Sequence, residues 1–270
     1  MSHRLLDLIA KRSYEAQGLL PEGTRRVVLI HGAMDRMRSF SRMARYLTEF
    51  GFDCVTYDRR GYEDSVLAEP FSSLSPPNID DHVDDLAQII GQQPAIVFGH
   101  SLGGTIALLL AEQNRAPISA LVTFESPLPW MDFWPKFGAY AIEPGTQITD
   151  QYARDFAKQF MVRMIGEKRW ERLPLSTRNR RLDEGVILVA EMASASTPRL
   201  VPDPKKIQVP TIVARGQNAP NRHILALDYL KTSIPVAIGV VVDDTDHGIH
   251  LTNPKAAASL IETAYRKFAS

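Results

Sequence analysis

Ala95-Ile96-Val97-Phe98-Gly99-His100-Ser101-Leu102-Gly103-Gly104 is an apolar run that breaks into a glycine-flanked serine, and Ile106 to Ala111 continues as an apolar helical run. A strand that passes into a helix through Gly-x-Ser-x-Gly turns so tightly that its flanking positions must be small. The same tightness pushes Ser101 out over the edge of the sheet, which makes it a candidate nucleophile. The pentapeptide carries this meaning because a strand precedes it and a helix follows it.

Working outward, residues 25–31 read as a buried strand ending at His31-Gly32. Met37 to Phe50 places Phe40, Met43, Ala44, Leu47 and Phe50 at helical spacing, and Gly51 stops that helix. Phe52 to Tyr57 is the next strand, followed by the polar turn Asp58-Arg59-Arg60-Gly61-Tyr62 and a Ser/Pro-rich loop from Ser72 to Asn78. Ile79, Val83, Leu86 and Ile90 mark a helix, with Asn78 as its N-cap and acidic side chains in its first turn. Ile118 to Phe124 is a strand. Residues 127–205 then hold aromatic and helical runs but no buried strand. Alternation resumes with Pro210 to Ala214, Val236 to Val242 and a last helix from Pro254 to Phe268. Alternating strands and helices predict an α/β fold with a mostly parallel central sheet and helices on both faces. The expected division is a core of residues 1–126 and 206–270, with 127–205 inserted as a helical cap.

The chain resembles the α/β-hydrolase superfamily through His31-Gly32, Asp58-Arg59-Arg60-Gly61-Tyr62, Gly99 to Gly104, and Asp246-His247 followed by Pro254. The resemblance implies catalytic groups on loops at the carboxyl edge of the sheet. His247, after the last strand and before the last helix, matches the family's catalytic histidine; His250 is the alternative. Ser101 needs such a base because an alcohol is a poor nucleophile at neutral pH. The oxyanion of a tetrahedral intermediate would meet the amides of Leu102, just after the nucleophile, and Ala33, after His31-Gly32. His31 and His100 would shape turns beside the site. His3 and His82 lie in segments that look exposed.

A histidine base needs a carboxylate to fix its tautomer. Most relatives place an aspartate three residues after the glycine that ends the penultimate strand. In Gly216-Gln217-Asn218-Ala219-Pro220 that position is Ala219, which cannot serve. Glu125 is the candidate replacement, since it follows the strand next to the nucleophile strand. Some haloalkane dehalogenases carry their catalytic glutamate there, and the run Phe124-Glu125-Ser126-Pro127-Leu128-Pro129-Trp130 is similar to theirs. Those enzymes attack with aspartate, so the acid's position carries over and their reaction does not. Asn218 is the alternative orienter, and Asp243, Asp244 and Asp246 read as residues that solvate their loop.

Trp130, Phe133, Trp134, Phe137 and Tyr140 form an aromatic cluster after Glu125; Met34, Trp130 and Trp134 are the expected substrate contacts. Arg163 to Arg181 carries many cations and reads either as a solvated helical face or as an attraction for an anionic substrate. Basic and acidic residues balance at 31 each, so no global field points to nucleic acid or an anionic membrane. Cys54 is the only cysteine, which excludes an intrachain disulfide and a thiolate metal cage and reads as a buried, inert thiol. The apolar stretch near Met1 is too short for a signal peptide, and no run could span a bilayer. The expectation is therefore a cytoplasmic serine esterase, monomeric or homodimeric, without metal or cofactor. It would cleave a small or medium hydrophobic carboxylic ester; a lactone, thioester or amide would use the same machinery. The competing expectation is a hydrolase-fold sensor that binds a small ligand with little or no turnover.

Overall fold

A computed structural model describes residues 9–17, 23–65, 76–136, 142, 146–195 and 197–269. His3, Phe137, Tyr140 and most of the Ser/Pro-rich loop lie outside the described residues.

Seven strands form one sheet: β1 (Lys11–Tyr14), β2 (Arg26–Ile30), β3 (Asp53–Tyr57), β4 (Ala95–His100), β5 (Ile118–Phe124), β6 (Thr211–Gly216) and β7 (Ala237–Val242). Their order is β1-β3-β2-β4-β5-β6-β7, so the strand leading to Ser101 is central. All pairings are parallel except β1 with β3. The antiparallel β1 escaped the sequence because Lys11 to Ser13 are exposed and carry no apolar signal.

Core side chains alternate along each strand, as a sheet covered on both faces demands. Val28, Ile30 and Val97 point into one cluster, shared with α2 (Ile79–Ile90), α3 (Leu102–Gln113) and α8 (Asn221–Ser233). Val27, Leu29, Ile96 and Phe98 point into the other, shared with α1 (Ser41–Glu49) and α9 (Pro254–Ala264). Asn78 caps α2 as expected, in a reciprocal box with Asp81. Two helices are shorter than their apolar spacing suggested. Met37–Phe40 is a 3-10 turn ahead of α1, and Tyr265–Ala269 is a π-helical turn after α9.

Between β5 and β6 lie α4 (Asp150–Ile165), α5 (Glu167–Arg172), α6 (Leu175–Asp183) and α7 (Gly185–Ser194). They share a third apolar cluster, built on Phe156, Trp170, Ile187 and Leu188, with Met34 and Tyr62 reaching in from the sheet side. Ion pairs anchor these helices, the innermost of them fully buried. Arg59 pairs with Glu191 of α7, both side chains fully buried, and His82 and Tyr62 also bond to Glu191. Arg180 and Arg181 of α6 pair with Glu63. Two sequence expectations are thereby corrected. His82 is buried, because Glu191 supplies a polar partner invisible in its own helix. The cationic run is not one solvated face, because Arg181 is fully buried between Glu63 and Glu184.

Candidate active site

The turn after β4 is built by close approach. A Cβ on Gly99 would sit 2.5 Å from Gly104 Cα, so only glycine lets strand and helix come together. Ser101 is held at φ 51°, a left-handed backbone unusual for a side-chain-bearing residue, and its amide donates to Phe124 O at 2.9 Å. Leu102 opens α3, so its amide has no carbonyl one helical turn earlier to bond.

Glu125 is also left-handed, at φ 47°. Its amide donates to Ala214 O and its Oε1 accepts from the Gly216 amide at 3.0 Å, both on β6. These bonds aim Oε2 at His247, where it lies 2.8 Å from Nδ1. The Glu125 side chain is fully buried, while His247 keeps partial exposure. The loop carrying His247 is fixed in turn: His100 Nε2 donates to His247 O at 2.7 Å, and Thr245 O accepts from the Asn218 amide. Burial, then the neighbouring His250 and His247, lowers the His100 pKa well below its ordinary value, so this ring is a neutral donor.

The loop after β2 is set by His31. Its Nδ1 lies 2.8 Å from Gly32 O and its Nε2 accepts from the Arg59 amide, a pattern that assigns the proton to Nδ1. Burial, reinforced by Arg59, pushes its pKa down to about 3. Arg59 also donates to His31 O and Gly32 O. The Asp58 to Tyr62 turn thus braces the backbone that presents Ala33.

Ser101, Glu125, His247, Ala33 and Leu102 all line one cavity of about 250 Å³. Among the described residues, Ser101 Oγ and His247 are not hydrogen-bonded to one another; such bonds commonly tighten only when substrate is present. Of the expected substrate contacts, Trp134 lines the cavity. Trp130 packs half-buried against the sheet core, and Met34 is buried under α4 to α7. The cavity lining includes neither of them. Asn218 is exposed and meets the His247 loop through its backbone, and Asp243, Asp244 and Asp246 are exposed. His250 lies 3.1 Å from Asp35 through Nε2. His223 was unassigned by sequence. It stacks on His247 with ring centroids 5.4 Å apart, and its Nε2 is 3.8 Å from Glu125 Oε2. No local pattern marks it, because Glu125 follows β5 and His247 follows β7, both distant in sequence.

Ser101 on its tight turn, the buried Glu125 carboxylate on the His247 imidazole, Ala33 and Leu102 thus surround one cavity. The model of the alpha/beta hydrolase family matches residues 27–260, and the chain belongs to that family. It is similar to the lipase LipV of Mycobacterium tuberculosis, 33% identical over 108 residues, which is 39% of this chain and 38% of that one. It is also similar to the uncharacterized hydrolase YraK of Bacillus subtilis, 29% identical over 102 residues, or 37% and 36% of the two chains. The matched segment thus spans under two fifths of each of these relatives. Among solved structures, MenH from S. aureus shares the fold with a TM-score of 0.67 at 20% identity, over 95% of this chain and 98% of that one. Among the described residues no helix is long and apolar enough to cross a membrane.

Proposed function

We propose that the protein is a serine hydrolase acting on a small or medium hydrophobic carboxylic ester through an acyl-serine intermediate. The observation that carries this reading is the 2.8 Å contact between Glu125 Oε2 and His247 Nδ1 beside Ser101. Glu125 holds the Nδ1 proton, which leaves Nε2 as the base. His247 takes the Ser101 proton as Oγ attacks the carbonyl carbon, and Glu125 stabilises the imidazolium. The Ala33 and Leu102 amides receive the oxyanion. His247 returns the proton to the departing alcohol, and the same base activates the water that releases the acid.

The cavity walls support an apolar substrate of limited size: Phe160, Met164, Met192, Pro127, Pro129 and Trp134 line the same cavity as Ser101. Phe160 and Met164 belong to α4, so we assign α4 to α7 the role of a cap over the site. The sensor alternative rests on the alanine at 219, and the Glu125 contact to His247 favours turnover over it. Stoichiometric labelling by a fluorophosphonate tests the proposal. Ser101 should be modified in the native protein, and S101A should neither label nor hydrolyse short-chain aryl esters. A folded protein that resists labelling would overturn the reading.

A further inference from the structure

His223 is the polar group that the proposed reaction leaves unused. Its side chain is buried, and its Nδ1 has no hydrogen-bond partner among the described residues. Its Nε2 stops 3.8 Å from Glu125 Oε2, too far for a hydrogen bond. A buried imidazole normally finds partners, because leaving a desolvated polar atom unsatisfied is costly. The unsatisfied ring is not isolated. Glu125, His223 and His247 each offer one ligand atom, all within 4.8 Å of one another, and all three line the cavity.

We propose that Glu125, His223 and His247 form an inhibitory site for a divalent transition metal of the zinc class. Four-coordinate zinc with ligands at about 2.0–2.1 Å spaces its donor atoms roughly 3.3 Å apart. Glu125 Oε2 stands 2.8 Å from His247 Nδ1 and 3.8 Å from His223 Nε2, which brackets that spacing. Two imidazoles and one carboxylate suit zinc or cobalt and not the oxygen-seeking magnesium or calcium. The fourth position faces the cavity, where water can fill it.

Both imidazoles must offer a lone pair. His223 Nε2 is free to do so, since at 3.8 Å it makes no hydrogen bond to Glu125 Oε2. His247 must adopt its other tautomer when the metal binds: the proton leaves Nδ1 and Nε2 takes one up, so the ring stays neutral. The metal then takes the nitrogen that Glu125 had oriented, and Nε2 loses its basicity. Arg222 lines the same cavity and opposes a dication, so micromolar rather than nanomolar affinity is expected. The binding stands independently of the hydrolase reading; only the loss of turnover rests on it.

The test is titration of chelator-treated protein with cobalt(II), followed by visible absorption. The expected result is one ion per chain with the intense bands of four- or five-coordinate cobalt, displaced by zinc and not by magnesium or calcium. H223F should weaken binding by at least about a hundredfold through the loss of one of three ligands, and H250F should not change it. H223N replaces H223F if the phenylalanine variant does not fold. Zinc should abolish ester turnover with the same midpoint, reversibly on adding chelator. Cobalt bands unchanged by H223F or H223N would overturn the proposal. So would bands lost with H250F, which would place the ion on the Asp35, His100 and His250 group instead. A weak six-coordinate spectrum would also overturn it. A protein that binds cobalt as described but never labels with fluorophosphonate would keep the metal site and lose the hydrolase.

Discussion

Glu125 Oε2 touches His247 Nδ1 at 2.8 Å across 122 residues of sequence, while Glu125 Oε1 accepts the Gly216 amide from the neighbouring strand. The two oxygens of one carboxylate are therefore divided between orienting the imidazole and holding the sheet edge. E125Q separates these tasks. The amide oxygen keeps the Gly216 bond, which turns the NH2 group toward Nδ1 and forces the proton onto Nε2. Turnover should fall by about 10³–10⁴-fold, as in wrong-tautomer variants of serine triads. Steady-state kinetics beside a thermal melt check this: kcat falls while the melting temperature stays within a few degrees. Activity within tenfold of the parent would remove Glu125 from the triad.

Asn218 was the other candidate orienter, and it sits exposed with its amide on Thr245 O. N218A keeps that backbone bond. Its kcat should stay within about twofold of the parent, since a solvent-facing substitution without buried partners changes little. A hundredfold loss would return the orienting role to the loop after β6.

Gly216 is where the acid, the β6 end and the histidine loop converge. A Cβ there would lie 2.1 Å from Thr245 O, two residues before His247, and that oxygen is backbone. G216A must displace the loop, which predicts about 1–3 kcal/mol of lost stability. Turnover should fall at least a hundredfold, because misplacing a catalytic group by about 1 Å is that costly. Denaturant unfolding and kcat/KM of the same preparation separate the two effects.

The fold was legible because its signals are local. Ala95 to Gly104 carries strand, turn and helix in ten consecutive residues, and the strands beside it announce themselves as apolar runs. The Glu125–His247 pairing was legible for a different reason: the alanine at 219 left a vacancy, and the strand end next to the nucleophile could fill it. The burial of His223, His82 and Arg181 was illegible because Glu125, Glu191 and Glu63 reach them from distant segments. A histidine in a short polar context looks solvated until Glu191 or Glu125 is placed against it. The β1 strand was hidden by its position at the sheet edge, where side chains face water and apolar alternation is not required.

Arg59 and Glu191 join the sheet domain to α7 with both side chains fully buried, and the Glu191 carboxylate also takes bonds from Tyr62 and His82. Burial alone would raise the Glu191 pKa, but Arg59 and His82 outweigh it and hold it at about 2. E191A leaves a buried guanidinium without its counter-ion and should cost about 3–5 kcal/mol. E191Q, which keeps one acceptor oxygen for Arg59 and His82 and turns an NH2 group to the Tyr62 hydroxyl, should cost less. Equilibrium unfolding in urea gives the ranking, and equal losses for the two variants would contradict a charge-based tie.

Stability should fall as the solution is acidified below neutrality. Four buried histidines resist charging. Burial lowers the pKa of His31 to about 3 and of His223 to about 2, and lowers His82 and His100 as well. Unfolded, each titrates near 6.5, so below that pH the unfolded chain binds protons that the folded one refuses. The folded-state pKa is depressed in every case. Stability is thus fully present above pH 6.5 and is lost as pH falls toward 3 for His31 and 2 for His223. One unit below 6.5, His31 and His223 each cost about 1.4 kcal/mol, and His82 and His100 add to the loss in the same direction. Asp58 works the other way: burial pushes it up to about 6, so the folded chain gains protons first, but it returns less than one histidine's share at that pH. The melting temperature should therefore drop between pH 7 and pH 5.5. In H223F the same interval should cost less, because one reluctant histidine is gone. A parent protein whose melting temperature is level across that range would show that these rings accept protons in the folded state.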